Sequence, residues 1–315
     1  MKWGLIGTGS ICRQFASDLA HVPGAGRTAV ASRDAARAAQ FADEYAMAKS
    51  YGSYAELLAD PEVEIIYIGT PHSEHLTNAS DAMRAGKHVL CEKPLTVTPI
   101  EGHALREVQE ETGQYLMEAM WTWFLPAVLK AQQWIAEGRI GTLRHIKADF
   151  GYPQRFDPAG RMYNPELAGG CLLDMGVYPV ALTYLINKAS PNTISVTGRR
   201  APSGVDDDFS AIFEYRDHTA TLGSSFRCKL QNWAYIIGTD GYIAIPDFWR
   251  ASEAMLFELD TKVEHFKDDR EHLGFAFEAM AVQDDIAAGK TQSDVVSLDD
   301  SIAIQVLMDE IRNRV

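Results

Sequence analysis

The chain has 315 residues, 46% of them hydrophobic, a length that predicts about two domains with cores of their own. Its 29 Lys and Arg against 43 Asp and Glu give a formal net charge of −14 at pH 7, which argues against nucleic-acid or anionic-membrane partners. No leader or membrane-spanning apolar run is recognised, so a cytoplasmic protein is expected, and four isolated cysteines suggest neither a disulfide framework nor a metal site.

The first predicted element is a short buried strand, residues 2–7, followed by a glycine-rich turn. Gly7 and Gly9 permit a tight turn and close approach of a pyrophosphate, and Ser10 can begin a helix whose free N–H groups attract phosphate. The third position of the dinucleotide fingerprint is Cys12, a departure from Gly or Ala. An ordinary strand-turn-helix is the alternative. The residues predicted to contact a dinucleotide here are Gly7, Thr8, Gly9, Ser10 and Ile11.

The second strand, residues 28–31, ends where an NAD enzyme would place an acidic residue for the ribose diol. This chain has Ser32 and Arg33 there, with Arg37 one helical turn later, and these side chains suit a 2′-phosphate. The pattern therefore favours NADP over NAD, although NAD stays possible. In the alternative interpretation, Arg33 is a solvated loop charge and Asp34 only caps the next helix.

Strand patterns at residues 65–69, 88–91 and 115–118 then alternate with helical patterns at 35–45, 73–85 and 99–112. This alternation predicts a doubly wound parallel α/β sheet, a Rossmann domain over residues 1–121. Thr70, Pro71 and His72 follow one strand at the edge where dinucleotides bind, so ribose or nicotinamide contacts are expected. Glu92 and Lys93 follow the next strand and place a lysine beside the same cradle.

The pattern changes near residue 120. A helix over 127–137 precedes longer strands at 143–150, 193–199, 208–215, 219–225 and 233–238, which predict an open, mostly antiparallel sheet. Residues 172–185 have helical spacing, and residues 275–315 read as two helices separated by a turn at Gly289. We assign 122–315 to a substrate-binding and dimerisation α+β domain. An apolar sheet face exposed to water would form a large hydrophobic patch. A homodimer that buries this face of the sheet is therefore expected.

Several aromatic and histidine side chains have two interpretations each. Trp121, Trp123 and Phe156 could line an aromatic or sugar-ring pocket, although such residues more often fill a core. His75 and His88 are interpreted as structural.

Taken in order, these motifs resemble the Gfo/Idh/MocA oxidoreductase family over essentially the whole chain. The segments that carry the resemblance are residues 7–11, 70–72, 92–94, 169–179 and 274–278. Residues 117–126 are similar to the branch of dimeric dihydrodiol and NADP-dependent sugar dehydrogenases, although Trp123 stands where that branch commonly has arginine. The family pattern also implies a cis Lys93–Pro94 peptide bond.

The resemblance implies roles for three residues. Oxidation of an alcohol requires removal of a proton as well as a hydride, and nicotinamide performs only the hydride half. Tyr178 stands at the family's acid/base position, and a nearby Lys93 ammonium would favour its phenolate. Asp174, four residues earlier, would share a helical face with Tyr178 and fix a substrate hydroxyl. As alternatives, Lys93 is a loop charge, Tyr178 a core aromatic and Asp174 a carboxylate that complements the helix dipole.

The function implied is an NAD(P)-dependent dehydrogenase or reductase acting on CH–OH groups. It would transfer hydride between NADP and an alcohol, hemiacetal or carbonyl carbon of a sugar or cyclic trans-diol. Two rivals stay open: an aldose–aldose oxidoreductase that retains its cofactor, and a non-catalytic dinucleotide-sensing regulatory protein.

Overall fold

The computed structural model describes residues 1–315 and divides into two compact units. The first unit comprises Met1–Trp121 and Glu271–Ile302, and the second comprises Thr122–Arg270 and Ala303–Val315. The N-terminal segment of the first unit thus ends at Trp121. Residues 271–302, which the sequence placed in the second domain, belong instead to the first unit.

The first unit alternates strands and helices along the chain. Its elements up to residue 121 are β1 (Lys2–Ile6), α1 (Ser10–Leu19), β2 (Gly26–Ala31), α2 (Ala35–Tyr45), β3 (Lys49–Tyr51), α3 (Tyr54–Leu58), β4 (Ile65–Ile68), α4 (His75–Arg84), β5 (His88–Glu92), α5 (Pro99–Thr112) and β6 (Leu116–Ala119). The six strands pair in parallel in the order β3-β2-β1-β4-β5-β6. This is the order of a Rossmann sheet, and it brings the ends of β1, β2, β4 and β5 to one edge.

The central strands of this sheet are apolar and buried on both faces, as parallel strands covered by helices must be. Every residue of β4 is buried, as are four of the five residues of β1. Gly4 in the middle of β1 is required by close packing, because a Cβ there would lie 2.8 Å from the Val63 side chain.

The tail joins the first unit through contacts that its sequence pattern did not reveal. Helix α8 (Phe275–Ala287) begins without a side-chain cap of its own. The buried carboxylate of Asp18 in α1 accepts hydrogen bonds from the backbone N–H groups of Leu273, Gly274 and Phe275 at 2.8–3.0 Å. Asp18 thus caps α8 from a distance of some 250 residues along the chain, and this fixes the tail on α1.

The second unit is built on one eight-stranded sheet. Its elements are α6 (Pro126–Ala136), β7 (Leu143–Gly151), α7 (Val177–Asn187), β8 (Thr193–Arg200), β9 (Asp206–Glu214), β10 (Thr219–Ser225), β11 (Trp233–Gly238), β12 (Tyr242–Pro246), β13 (Glu253–Glu258) and β14 (Thr261–Lys267), and the last helix of the chain is α9 (Leu298–Arg312). The order is β14-β13-β12-β11-β7-β10-β9-β8, and only β7 and β10 pair in parallel. The predicted open, mostly antiparallel sheet is confirmed.

The two faces of this sheet differ. In β11 and β13 the residues alternate between buried and partly exposed, so that Ala234 and Ile236 face inward while Tyr235 faces outward. Helices α6 and α7 pack on the inner face. The outer face carries a row of aromatic rings in which Tyr242 stacks on Phe257 at 4.6 Å and lies 6.4 Å from Tyr235.

Two expectations require correction. Strands β12, β13 and β14 were not predicted, because β14 in particular is exposed along most of its length and lacks a clear apolar face. One helical stretch, Pro165–Asn187, is long and apolar enough by composition to span a membrane, contrary to the expectation of no such run, but 83% of its apolar window is buried inside the protein. Burial of this kind is typical of a core helix.

Candidate functional site

In the first unit, the turn after β1 has two glycines with different surroundings. Gly7 has φ +112°, and a Cβ there would lie 3.0 Å from the Gly69 carbonyl oxygen and 3.1 Å from Cys12 Sγ. The protein itself therefore requires Gly7. A Cβ on Gly9 would meet no atom within 4 Å, so the space beside Gly9 is open to a ligand.

Helix α1 begins directly after this turn and has no side-chain cap. The first backbone bond inside the helix runs from Arg13 N–H to the Gly9 carbonyl at 3.1 Å, so the N–H groups before Arg13 have no partner within the helix. Cys12 is buried, and its Sγ lies within contact distance of Gly69, so the small side chain supports the close packing that a third glycine would provide. The turn fits a pyrophosphate.

At the end of β2, the carboxylate of Asp34 is already engaged. Asp34 Oδ1 accepts hydrogen bonds from the Ala36 and Arg37 N–H groups at 3.0 and 3.2 Å, and Ser32 Oγ accepts the Asp34 N–H at 3.2 Å. Asp34 therefore caps α2, as the alternative interpretation expected. Arg33 is exposed and forms no ion pair, whereas Arg37 lies 3.5 Å from Asp34. The end of β2 thus carries two guanidinium groups next to a carboxylate that already caps a helix.

At the ends of β4 and β5, the buried carboxylate of Glu92 holds the backbone of Lys93 by a hydrogen bond. Glu92 is 5% exposed, and its Oε1 accepts a hydrogen bond from the Tyr67 hydroxyl at 2.6 Å. Glu92 Oε2 accepts the Lys93 N–H at 3.1 Å. The Lys93–Pro94 peptide is cis, as the family pattern implied. His72 lies in a short 3₁₀ turn after Pro71 and is buried.

In the second unit, Tyr178 lies in the first turn of α7 against an aromatic wall. Its ring meets Phe150 of β7 edge to face at 5.5 Å, and Phe150 stacks on Trp249 at 4.0 Å with 18° between the planes. Thr122 Oγ1 fixes this tryptophan by donating to its carbonyl oxygen at 2.7 Å. Sequence reasoning did not predict this aromatic cluster next to Tyr178. Trp249 follows β12, a strand that the apolar pattern did not reveal.

Asp174 lies in a π-helical turn, Leu172–Gly176, rather than in an α-helix. The four-residue spacing to Tyr178 therefore does not have the α-helical geometry assumed from the sequence. Asp174 forms an ion pair with Arg161 at 2.8 Å, and its side chain is 13% exposed. Arg161 was not predicted, because it comes from an irregular segment with no motif around it.

The start of this turn is held by a buried carboxylate. Asp206 Oδ2 accepts the Leu172 N–H at 2.6 Å, and burial raises the pKa of Asp206 although this hydrogen bond opposes the shift. Gly170 has φ +124°, and a Cβ there would lie 2.5 Å from Asp206 Oδ1. A Cβ on Gly176 would lie 2.7 Å from the Phe209 ring. These glycines are required by the protein's own packing.

The three predicted pocket aromatics occupy different environments. Trp121 belongs to the first unit and stacks on Phe275 at 4.2 Å. Trp123 is fully buried in the second unit, and Lys188 Nζ lies 4.4 Å from its ring. Lys188 follows the last turn of α7, whereas Tyr178 lies in the first turn of that helix. Phe156 is 45% exposed and meets Tyr163 edge to face at 5.0 Å. Their roles toward a substrate stay predictions.

Residues 1–120 match the family profile described as "Oxidoreductase family, NAD-binding Rossmann fold", and residues 128–244 match "GFO/IDH/MocA C-terminal domain". The chain is 34% identical to trans-1,2-dihydrobenzene-1,2-diol dehydrogenase from Xenopus laevis, covering 98% of this chain and 96% of that protein. It is 33% identical to the human enzyme of the same name, with 100% and 97% coverage.

Among solved structures, a 3-ketoreductase from Actinomadura kijaniata in complex with NADP and TDP-benzene is 27% identical, with a TM-score of 0.88 and coverage of 99% and 97%. An aldose-aldose oxidoreductase from Caulobacter crescentus has a TM-score of 0.90 at 21% identity, covers 100% of this chain and 97% of that one, and shows the shared fold. The chain belongs to the Gfo/Idh/MocA family of oxidoreductases and is a dehydrogenase that acts on CH–OH groups.

Proposed function

We propose that the protein is an NADP-dependent oxidoreductase that transfers hydride between nicotinamide and an alcohol, hemiacetal or carbonyl carbon of a sugar or cyclic trans-diol. The observation that carries this proposal is full-length similarity to trans-1,2-dihydrobenzene-1,2-diol dehydrogenases together with both Lys93 and Tyr178. A dinucleotide sensor without activity has no need of a proton-transfer pair, so the presence of both residues favours an enzyme.

The choice of NADP is supported by the end of β2. A ribose 2′-hydroxyl in an NAD enzyme needs a carboxylate acceptor. Asp34 is engaged as the cap of α2, whereas Arg33 is exposed and free of ion pairs. A guanidinium group suits a 2′-phosphate, so we expect Arg33 to bind it with help from Ser32 and Arg37. The open space beside Gly9 and the uncapped start of α1 would receive the pyrophosphate.

In the proposed mechanism, nicotinamide supplies hydride acceptance and donation. Tyr178 Oη takes the hydroxyl proton of the substrate during oxidation and returns a proton to the carbonyl oxygen during reduction. The Lys93 ammonium stabilises the phenolate and the substrate oxygen by its charge. Asp174 accepts a hydrogen bond from a neighbouring substrate hydroxyl, and the ion pair with Arg161 holds its carboxylate in place for that purpose.

The expected substrate class follows from the second unit, where apolar and polar side chains lie near Tyr178 in the chain or in space. Phe150 and Trp249 form an apolar wall beside Tyr178, while Asp174 is a polar group four residues before Tyr178 in the chain. A ring with an apolar face and two adjacent hydroxyls matches both features. We therefore expect cyclic trans-diols and pyranose sugars to be accepted in preference to open-chain polyols.

The test is reduction of NADP, with NAD in parallel, over a panel of aldoses and cyclic trans-diols. Tyr178→Phe is expected to lower kcat by about 10²–10⁴-fold, because the catalytic base is removed while the ring and its packing stay. Tyr215→Phe is the matched control: Tyr215 stacks on His218 elsewhere in the same unit, and its variant should keep wild-type rates.

Activity that survives in Tyr178→Phe would contradict the mechanism. Nucleotide that stays bound through purification and is reduced and reoxidised in place would instead support an aldose–aldose oxidoreductase. Tight NADP binding without turnover on any substrate would support a sensor. An NAD preference would remove the role assigned to Arg33.

We further propose a homodimer that covers the outer face of the eight-stranded sheet. The stacked Tyr242 and Phe257 on this face form an apolar surface that is costly to leave in water. Sedimentation of the protein is expected to show a dimer, and Phe257→Lys should shift it toward monomer. A wild-type protein that sediments as a monomer at micromolar concentration would overturn this proposal.

A further inference from the structure

One buried histidine spans two turns of the cofactor edge. His75 begins α4 and is fully buried. Its Nδ1 lies 2.9 Å from the Pro94 carbonyl oxygen, and its Nε2 lies 3.1 Å from the Thr70 carbonyl oxygen. Thr70 follows β4 and Pro94 follows β5, two strands that are neighbours in the sheet. A single ring therefore bridges the predicted nicotinamide-contacting turn and the turn that carries Lys93.

The chemistry of this bridge is asymmetric. Both oxygens are acceptors, so each ring nitrogen can bond only as an N–H donor. Burial lowers the pKa of His75 to about 4, so the ring is neutral near pH 7 and has one N–H to give. The two carbonyls compete for that proton, and the shorter distance is the one to Pro94.

The two turns also differ in their other supports. The Thr70 turn has a second anchor from the same helix, since Asn78 Nδ2 donates to Thr70 Oγ1 at 3.0 Å. Beyond Pro94, the chain is held from a different element, where the Leu95 N–H donates to Glu118 Oε1 of β6 at 2.9 Å. His75 thus ties the Lys93 turn to α4 by a hydrogen bond, while the Thr70 turn would keep a tie to α4 without His75.

We propose that His75 is a positioning residue for Lys93: its Nδ1–H donates to the Pro94 carbonyl and fixes the Lys93 turn against the start of α4. The inference rests on the proposed role of Lys93 in proton transfer. A displacement of about 1 Å in a group that acts on the reacting atoms is enough to cost rate without abolishing cofactor binding.

Three substitutions separate the two contacts. His75→Asn keeps an amide donor near the position of Nδ1 and can reach Pro94. His75→Gln places its amide nitrogen near the position of Nε2 and can reach Thr70. His75→Leu removes both donors. As a control, His88→Leu removes a half-buried histidine whose Nδ1 accepts the Tyr115 N–H at 3.0 Å, a contact that supports only the sheet.

In the kinetic measurements we expect kcat to change and the KM for NADP to stay nearly constant. His75→Leu and His75→Gln should lower kcat about tenfold or more with a small change in the KM for NADP, and His75→Asn should recover most of kcat. His88→Leu should lower the melting temperature while leaving kcat unchanged. Recovery by Gln but not Asn would overturn the assignment to Pro94, and unchanged kcat in all three variants would make His75 purely structural.

A second measurement does not depend on turnover. An amine-reactive anhydride modifies the Lys93 side chain at a rate that depends on its accessibility and local environment. Peptide mass spectrometry measures this rate in the protein without substrate. We expect the rate to change several-fold in the Leu and Gln variants and to match wild type in the Asn and His88→Leu variants. If wild type turns over none of the substrates, the proposed function fails and labelling still decides the role of His75. Identical labelling in every variant would refute it.

Discussion

Two glycine-containing segments carry predicted site residues, one in each unit, and their glycines are needed for different reasons. A Cβ on Gly9 of the first unit meets no atom within 4 Å. A Cβ on Gly170 of the second unit would lie 2.5 Å from Asp206 Oδ1 at a backbone φ of +124°. The first glycine leaves space for a ligand, and the second leaves space for the protein's own carboxylate. Substitution should therefore separate binding from folding.

The largest effect is expected from Gly170→Ala. The new Cβ would both adopt an unfavourable φ and displace the Asp206 carboxylate that accepts the Leu172 N–H. We expect a loss of about 3 kcal/mol or more in the free energy of unfolding, measured by urea denaturation. Gly204→Ala is the matched control, because φ is +93° there but no atom lies within 4 Å of a Cβ. Equal losses in the two variants would show that Asp206 plays no part.

Buried carboxyls extend the comparison. Asp206 caps a helical turn in the second unit, whereas Glu118 in the first unit accepts the Leu95 N–H at the strand-end turn after Lys93. Burial raises the pKa of Glu118 from 4.5 to about 7, although the Leu95 hydrogen bond opposes the shift. The folded protein then holds an extra proton between these two pH values. Stability falls as pH rises through this window, and the cost is fully present above pH 7.

Glu118→Gln is therefore expected to stabilise the protein increasingly from pH 5 to pH 8. The difference in unfolding free energy between variant and wild type should grow by about 3 kcal/mol across the window and then level off. Chemical denaturation at a series of pH values measures this difference. A difference that does not vary with pH would show that Glu118 keeps its ordinary pKa in the folded protein.

For Gly9→Ala, in contrast to Gly170→Ala, we expect weaker nucleotide binding without a loss of stability. Gly9 has an extended backbone with φ −73°, so alanine fits without strain and should leave stability unchanged or raise it slightly. The added methyl group occupies the space proposed for the pyrophosphate, and we expect the Kd for NADP to rise about tenfold, or ~1.4 kcal/mol. Titration with the reduced nucleotide, followed by its fluorescence, measures the change in Kd. An unchanged Kd would place the pyrophosphate elsewhere.

The same contrast explains which parts of the site could be predicted from sequence. In the first unit the signals are local: a strand ends, a glycine turn follows, and Asp34 begins a helix within three residues. In the second unit the wall beside Tyr178 combines Phe150 with Trp249, which lie far apart in the chain and share no motif. The return of α8 to the first unit likewise depends on Asp18, whose capping role only the tertiary structure reveals.

The smallest expected effect tests whether Trp123 fills the core or lines the substrate pocket. Lys188 Nζ lies 4.4 Å from the Trp123 ring and 5.8 Å from Tyr184, so Lys188→Met removes a cation–π contact while keeping a side chain of similar length. Because Lys188 is exposed, we expect a loss of about 0.5–1 kcal/mol in unfolding free energy. If Trp123 only fills the core, the KM for substrate stays at the wild-type value. A changed KM with unchanged stability would instead place Trp123 in the substrate pocket, one of the two interpretations that the sequence left open for it.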